Sequence, residues 1–439
     1  MIDDSAAESA RDIRLGVARR CVVSRQSGLW ASWWRWVMRV ISSWVFLAAA
    51  LWAGSSAANT LVLVSIDGFR WDFLDRPQAQ KMKTIAQQGT RVTKLRTVYP
   101  SKTFPGHLSI ATGLHPTGHG VVDNYFCRSD RPDCYTMGSG RKDPDWLAGV
   151  PLWTLVEQQG GRASTFFWPE SDAPFDNTLP TDYRAYDGRV PHTQRVAQAV
   201  EWLSLPAGQR PDLVTLYFSA VDSAGHTFGP DAPETLAAIA DIDDHIATLW
   251  QAIEALNVRG DAEINLLLVS DHGMAEVDPD AFIDTNTLPK PRGFKRVNGS
   301  TRVTYYQRDP AADIEALEAN LKERSAGRYW RVPAVVLSDR HFDNHPAVGD
   351  LIIETSPPRV FRRGGGKDAD LRGMHGYPAS VEDMAAFLVA VGPAFRQGQV
   401  IPEAHQLDVY PVAAAVLDLV VPDNIESDGG ELREALADR

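Results

Sequence analysis

The sequence predicts an α/β fold in which helices flank a mostly parallel central sheet. The first observation is a set of short apolar runs, typical of strands that are buried on both faces. These runs are residues 59–66, 212–218, 264–269 and 385–391. The second observation is a set of helical patterns between or after these runs. They span about 78–88, 193–203, 233–256, 311–323 and 407–417. Strands that alternate with helices are typical of such a sheet.

The first 58 residues differ in composition from the rest of the chain. From Met38 the chain has the features of a secretory signal, with Arg39, an apolar run over 40–52 and small residues at 54–58. We therefore expect an over-extended start followed by a signal peptide from Met38, with an uncleaved N-terminal anchor as the alternative. The apolar run is short for a membrane span. We expect a periplasmic or secreted protein, without a stable transmembrane segment once the signal is removed.

The remaining residues, 59–439, have the length and composition expected of one large globular domain. Residues from about 275 to 375 carry shorter and weaker elements, which predict an inserted region within this domain. The chain is 44% hydrophobic and has a net charge of −12. This charge predicts no binding surface for nucleic-acid polymers. A small anionic substrate would therefore need a local source of positive charge, such as metal ions.

Two of the three cysteines, Cys127 and Cys134, flank a short polar segment of the expected mature chain. The third, Cys21, lies in the segment that we expect to be absent. In an exported chain such a pair predicts a disulfide that closes a small loop. Two free thiols are the alternative, and a metal site is disfavoured because no further Cys or His is close by.

Thr103 lies at the start of a stretch, residues 103–113, that has a helical pattern. A hydroxyl at a helix start faces unpaired N–H groups and the positive end of the helix dipole. Such a position suits an oxygen that becomes an anion or attacks one. Taken alone, the stretch favours a threonine that caps the helix, with Pro105 in the first turn.

Three of the four predicted strands end in Asp, or in Asp with His. Asp67 follows the first strand, Asp222 and His226 follow the second, and Asp271 and His272 follow the third. Taken singly, each is more often a turn or a solvated group. Ligands of parallel sheets bind beyond the carboxyl ends of the strands, however. The recurrence therefore predicts one shared site.

His375, within a Gly-rich stretch, brings the set to six Asp and His residues. The spacing of Asp222 and His226 places both on one face of a helical turn. Six such ligands with one threonine suit two divalent metal ions that keep open positions for substrate. The absence of Cys ligands favours zinc, or a harder ion such as manganese.

Together with their neighbours, these residues resemble the nucleotide pyrophosphatase/phosphodiesterase family of the alkaline phosphatase superfamily. The matching stretches are residues 65–70, 99–105, 112–120, 123–124, 222–226 with 229–230, 270–274 and 373–376. They occur in family order across nearly all of the expected mature chain. The resemblance implies an alkaline-phosphatase-like fold.

The resemblance also implies catalytic and metal-binding roles. Thr103 would be the nucleophile of a reaction that passes through a covalent phospho-threonine. Two Zn²⁺ ions per chain are implied, in two sets of ligands. One set would be Asp222, His226 and His375. The other would be Asp67, Asp271, His272 and the Thr103 oxygen.

The resemblance also implies which residues contact the substrate. Asn124 would donate a hydrogen bond to a phosphate oxygen, and Phe104 would form one side of a nucleobase slot. The opposite side would be Tyr186 or, as second choice, Tyr217, with core packing as the alternative for both. Gly106 departs from the family, which often carries Asn there. We expect this to reshape the wall beside the nucleophile without touching the metals.

The leading hypothesis is a two-metal phosphodiesterase that hydrolyses nucleotide phosphodiesters or pyrophosphates to nucleoside monophosphates. The first alternative is the same chemistry on choline or lipid headgroup diesters. A phosphomonoesterase would need extra positive charge, and no Arg closely follows Thr103. A metal-stabilised binding protein without turnover is the alternative from another class, and a nucleophile beside a full ligand set argues against it.

Overall fold

The computed structural model describes residues 59–260, 262–364 and 370–438. The expected start and signal segment, residues 1–58, lies outside the described residues. The strands are β1 (Asn59–Ile66), β2 (Thr90–Arg96), β3 (Tyr125–Cys127), β4 (Cys134–Thr136), β5 (Ala163–Phe166), β6 (Asp182–Arg184), β7 (Leu213–Phe218), β8 (Glu263–Val269), β9 (Ala275–Glu276), β10 (Ile283–Asp284), β11 (Phe294–Asn298), β12 (Arg302–Gln307), β13 (Trp330–Arg331), β14 (Leu351–Glu354), β15 (Phe361–Arg362), β16 (Gly373–Met374), β17 (Ala386–Val391) and β18 (Gln399–His405).

The five predicted helical patterns are all helices in the structure. The α-helices of the described chain are α1 (Gln80–Gln87), α2 (Thr103–Thr112), α3 (Pro116–His119), α4 (Leu152–Gln158), α5 (His192–Leu203), α6 (Ala220–Phe228), α7 (Pro233–Val258), α8 (Ile314–Ser325), α9 (Ala334–Asp339) and α10 (Val409–Val416). The predicted patterns correspond to α1, α5, α7, α8 and α10.

The central sheet has the strand order β18-β2-β17-β8-β1-β7-β5-β6. Within the described chain, β17 is antiparallel to both of its neighbours, β8 and β2. The other neighbouring strands are parallel. The prediction of a mostly parallel sheet is therefore confirmed, and the predicted strand at 385–391 is the one that runs the opposite way.

Strand β1 lies between β8 and β7 and is buried on both faces, as its apolar sequence predicts. Leu61 and Leu63 face one hydrophobic cluster, whereas Val62, Val64 and Ile66 face another. Residues of α2, α4 and α10 belong to the first cluster, and residues of α1, α5 and α7 belong to the second. Helices therefore cover both faces, which is why strands in the middle of this sheet can be apolar throughout.

Most of residues 275–375 lies outside the central sheet. Strands β11, β12, β14 and β13 form a separate antiparallel sheet. It has its own apolar cluster, which Leu317 and Leu321 of α8 join. The buried Arg302 of β12 connects this sheet to the main fold, since its guanidinium pairs with Asp123 at 2.8 Å and donates to the Val122 carbonyl oxygen.

The cysteine pair forms the predicted disulfide. Cys127 in β3 is bonded to Cys134 in β4, and the two residues are opposite each other in an antiparallel pair. In the described residues, no helix combines the length and apolar character needed to cross a membrane.

Candidate active site

The candidate ligands lie where β1, β7 and β8 end. The Asp67 amide donates to the Phe218 carbonyl oxygen at 2.9 Å, and the Asp222 amide donates to the Asp67 carbonyl oxygen at 3.1 Å. Gly68 permits this close approach, because it has φ of +69° and a Cβ there would lie 2.9 Å from the Asp222 Cα. Only glycine meets both demands without strain.

One group of ligands gathers around His272. Its Nε2 lies 3.3 Å from Asp67 Oδ1 and 3.0 Å from Asp271 Oδ2. The hydroxyl of Thr103 lies 3.4 Å from the same nitrogen. The structure therefore brings together the four residues that the family resemblance assigns to one ligand set.

The second group gathers around Asp222. Its Oδ1 lies 3.4 Å from His226 Nε2 and 3.6 Å from His375 Nε2. Helix α6 places Asp222 and His226 one turn apart, as predicted. The rings of His272 and His375 stack with centroids 3.5 Å apart, so the two groups adjoin.

Each of the three imidazoles is held through Nδ1 by a backbone carbonyl oxygen at 2.9 Å. The pairs are His226 with Gly373, His272 with Gly273, and His375 with Ser101. Because a carbonyl oxygen only accepts, Nδ1 carries the proton in each ring. The lone pair then lies on Nε2, the atom that faces the carboxylates, which is the tautomer that a metal ligand requires.

The charges in this cluster are unbalanced. Burial, together with the carboxylates of Asp271 and Asp222, raises the pKa of Asp67 well above its usual value. Burial, with repulsion from His272 and Lys102, lowers the pKa of His375 well below its usual value. Despite burial, the contact between Asp271 and His272 lowers the pKa of the carboxyl well below its usual value and raises the pKa of the imidazole. One imidazole therefore offsets one carboxylate, and the other crowded carboxylates call for further positive charge.

The hydrogen bonding of three carboxylate oxygens indicates whether metal ions fit this site. Asp67 Oδ1, Asp222 Oδ1 and Asp271 Oδ2 are buried and accept no hydrogen bond from the described residues. Leaving such atoms unpaired is costly. These are also the oxygens that face the histidine Nε2 atoms. One donor atom from each residue lies within 4.8 Å of the others in two trios, Asp67 with Asp271 and His272, and Asp222 with His272 and His375. His272 belongs to both trios and His226 to neither. The donor set fits divalent cations.

Thr103 is the first residue of α2, so the helix predicted here is confirmed. Lys102 holds the cap position, and the expectation that Thr103 caps the helix is therefore wrong. The Thr103 hydroxyl instead lies beside His272. Its position in the first turn still exposes it to the positive end of the helix dipole.

His107, to which the sequence analysis assigned no role, joins the nucleophile to a candidate ligand. Its Nδ1 lies 2.8 Å from the Thr103 carbonyl oxygen and 3.4 Å from Asp271 Oδ2, and its Nε2 lies 2.8 Å from Ser65 Oγ. The side chain is fully buried. The four-residue spacing from Thr103 is the same signal that singled out Asp222 and His226, so the sequence could have revealed it.

A cavity of about 500 Å³ opens beside the ligands. Thr103, Phe104 and Asn124 line it, together with both candidate stacking tyrosines. Asn124 Oδ1 accepts a hydrogen bond from the Phe104 amide at 3.0 Å. This contact leaves the two N–H donors of the Asn124 side chain for a ligand in the cavity.

The two tyrosines differ in position. Tyr186 is 56% exposed, and its hydroxyl lies 3.1 Å from Ser219 Oγ. Tyr217 is buried, and its hydroxyl donates to Asp67 Oδ2 at 2.5 Å. Both line the cavity, but Tyr217 is held by a candidate metal ligand, whereas Tyr186 forms part of the exposed wall.

Gly106 corrects one expectation. A Cβ at this position would lie 2.9 Å from the backbone oxygen of Asp271 and 3.2 Å from its Cβ. A side chain here would therefore press on a candidate ligand of the metal site. The expectation that this position affects only the wall beside the nucleophile is wrong for this chain.

The far end of the cavity was not found from the sequence. Glu170 is buried there and accepts a hydrogen bond from the Tyr135 hydroxyl. Phe167 and Glu170 have φ of 69° and 61°, a left-handed backbone that is unusual outside glycine. Neither residue carries a sequence signal for this conformation.

The central sheet with helices on both faces and the clustered Asp and His side chains define an α/β protein with a candidate metal centre. The family model described as Type I phosphodiesterase / nucleotide pyrophosphatase matches residues 61–378. The chain belongs to this family.

Relatives and solved structures agree with this assignment. Ectonucleotide pyrophosphatase/phosphodiesterase family member 1 of Rattus norvegicus is 32% identical over 386 residues, which cover 84% of this chain and 42% of that protein. Venom phosphodiesterase CdcPDE of Crotalus durissus collilineatus is 29% identical over 380 residues, covering 82% and 44%. The chain thus spans less than half the length of these relatives. Human ectonucleotide pyrophosphatase/phosphodiesterase 5 superposes with a TM-score of 0.78 at 24% identity, covering 87% of this chain and 100% of that one, and this likeness shows the fold.

Proposed function

We propose that the chain is a two-metal phosphodiesterase that hydrolyses nucleotide phosphodiesters or pyrophosphates to nucleoside monophosphates. The observation that carries the proposal is the Thr103 hydroxyl, 3.4 Å from His272, at the edge of a cluster whose buried carboxylate oxygens lack partners. Membership of the phosphodiesterase family and the names of the relatives support it.

Two sets of residues would hold the metal ions, which we propose are zinc. One set is Asp222, His226 and His375. The other is Asp67, Asp271, His272 and the Thr103 oxygen. When bound, the ions would lower the pKa of the threonine hydroxyl and offset charge on the phosphoryl oxygens.

The chain's own residues account for the steps of the reaction. The Thr103 oxygen bonds to phosphorus as its hydroxyl proton passes to solvent, and the bond from phosphorus to the leaving oxygen breaks, which releases an alcohol or a phosphate. The oxygen of a water molecule then bonds to phosphorus, the bond from phosphorus to the Thr103 oxygen breaks, and a proton from the water restores the hydroxyl as the nucleoside monophosphate leaves. Asn124 donates a hydrogen bond to a non-bridging phosphate oxygen, where charge develops during attack.

The cavity walls would bind the nucleoside. Phe104 and Tyr186 are the candidate faces of a base-stacking slot, with Tyr217 as second choice opposite Phe104. Stacking is tolerant of base identity and contributes about 1–3 kcal/mol per base. The hydrogen bond from Tyr217 to Asp67 supports Tyr186 as the stacking residue, because it holds Tyr217 against a candidate metal ligand.

A diesterase panel tests the proposal. The purified chain is assayed on a nucleotide aryl ester and on a choline phosphodiester, with and without chelator, followed by add-back of zinc or manganese. We expect faster turnover of the nucleotide ester, loss with chelator and recovery with zinc. Faster turnover of the choline ester would favour the headgroup alternative. No turnover by the metal-loaded chain would overturn the proposal in favour of a binding protein.

We further propose that this is a periplasmic or secreted protein, and that residues from about 275 to 375 are an insertion into one catalytic domain. The disulfide between Cys127 and Cys134 supports an oxidising compartment. The separate antiparallel sheet, with its own apolar cluster, supports the insertion.

A further inference from the structure

A second group of metal-binding side chains lies away from the candidate active site. His192 is the first residue of α5, and Asp241 and His245 are one turn apart on α7. One donor atom from each lies within 4.8 Å of the others. None of the three lines the cavity beside Thr103.

The aspartate lies between the two imidazoles. Asp241 Oδ2 lies 2.8 Å from His192 Nδ1, and Asp241 Oδ1 lies 3.6 Å from His245 Nδ1. The two rings meet edge to face with centroids 5.4 Å apart. Neighbouring ligands of one tetrahedral ion with bonds of about 2.0–2.2 Å lie about 3.3–3.6 Å apart. The 2.8 Å hydrogen bond between Asp241 and His192 would therefore lengthen slightly on binding.

Both imidazoles are held in place. Their side chains are only 20% and 16% exposed, and the ring of His192 packs edge-on against Phe218. The Nδ1 of His245 donates to the Asp241 carbonyl oxygen at 2.7 Å, so Nε2 carries the lone pair that a metal ion would use. Burial lowers the pKa of His192 below its usual value. Ordered imidazoles are suitable metal ligands.

We propose that His192, Asp241 and His245 bind one zinc ion, at a site separate from the active site. Two imidazole nitrogens and one carboxylate oxygen form a typical zinc donor set, and water would complete the coordination. Binding would displace the proton shared by His192 and Asp241 across their 2.8 Å contact. The ion would then cross-link the start of α5 to the middle of α7.

The position of this cross-link gives it a structural consequence. Helix α5 follows the loop that contains Tyr186, a residue of the cavity wall. An ion that ties the first residue of α5 to α7 would restrain the end of that loop. The expected effect is on thermal stability, because none of the three ligands contributes to the proposed reaction.

Metal content of the folded, zinc-loaded chain tests the proposal directly. After excess metal is removed by gel filtration, elemental analysis should find one more zinc per chain in the wild type than in His245→Gln or His192→Gln. Glutamine retains side-chain length and polarity, and circular dichroism verifies the fold. Added zinc should raise the Tm of the metal-stripped wild type more than that of either variant.

Asp244→Asn is the matched control, since Asp244 lies on α7 beside the site and pairs with Lys81 instead. This variant should hold as much zinc as the wild type. Diesterase activity should be the same in all four proteins. Equal zinc content in the wild type and both histidine variants would overturn the proposal. That result differs from a failure of the proposed function, which would appear as inactivity of the metal-loaded wild type.

Discussion

The candidate active site has two halves that are built differently. The ligand floor, which we define as Asp67, Asp271, His272 and His375, is at most 3% exposed. The aromatic rim, defined as Phe104 and Tyr186, lies in the cavity wall, and Tyr186 is 56% exposed. Most of the floor follows directly from the ends of central strands, whereas Tyr186 lies on a loop between β6 and α5.

This difference indicates that the ligand floor serves the reaction and metal binding, whereas the aromatic rim serves the choice of substrate. Each floor histidine is fixed through Nδ1, and its carboxylate partners are buried beside it, so the geometry is set before substrate arrives. The Tyr186 ring meets the rings of Phe167 and Tyr217 edge to face and is more than half exposed. We expect changes in the floor to affect turnover or metal binding, and changes in the rim to affect which substrates bind.

The largest effect should come from removing the nucleophile. We expect Thr103→Ala to lower kcat by at least about 10⁴-fold, because the covalent step loses its attacking oxygen. Thr103→Ser keeps a hydroxyl and should retain measurable turnover. Steady-state kinetics on a nucleotide aryl ester measures both. Wild-type turnover by Thr103→Ala would contradict the covalent mechanism.

The next effect should come from Tyr217, whose hydroxyl supports a residue of the ligand floor. Tyr217→Phe removes the hydrogen bond to Asp67, and we expect about 10- to 100-fold weaker zinc affinity or activity, as for other partners of metal ligands. Chelator competition measures the affinity. Tyr186→Phe, which removes a hydroxyl from the rim, is the matched control and should bind zinc like the wild type. Equal zinc affinities in the two variants would show that the Tyr217 contact does not support the floor.

The effect at the rim should be confined to substrates that carry a base, and its lower bound is the smallest of the three. We expect Tyr186→Ala to raise KM for a nucleotide ester by about 5- to 150-fold, the equivalent of losing about 1–3 kcal/mol of base stacking. Turnover of a diester without a base should be unchanged, since that substrate has nothing to stack. Equal losses on both substrates would assign Tyr186 to the reaction rather than to the base.

Local sequence predicted the middle of the fold better than its edges. The strands β1, β7 and β8 were predicted because helices cover both of their faces and their sequences are continuously apolar. Strands β2, β5, β6 and β18 were missed. Strands β6 and β18 are half-exposed edges with polar residues such as Asp182 and Glu403, β2 is also partly polar, and β5 is only four residues long. The reversed direction of β17 depends on the whole topology, and no residue within that strand encodes it.

The site shows the same limit. Strand-end Asp and His residues, with family motifs, predicted which residues gather, because parallel strands end at one edge. The cap at Lys102 and the small clearance between Gly106 and Asp271 are set by tertiary packing and not by local sequence. The left-handed backbone at Phe167 and Glu170 is a product of tertiary packing, and no local residue preference predicts it.

The buried Arg302 has a consequence for how freely this fold can be recombined. It lies on the small antiparallel sheet, yet it pairs with Asp123, the neighbour of Asn124. The small sheet and the loop that would bind the phosphate therefore share one ion pair. A chimaera that exchanged residues 294–354 for those of a relative would keep this loop in place only if the arginine and its aspartate were transferred together. The small sheet is thus not an independent module.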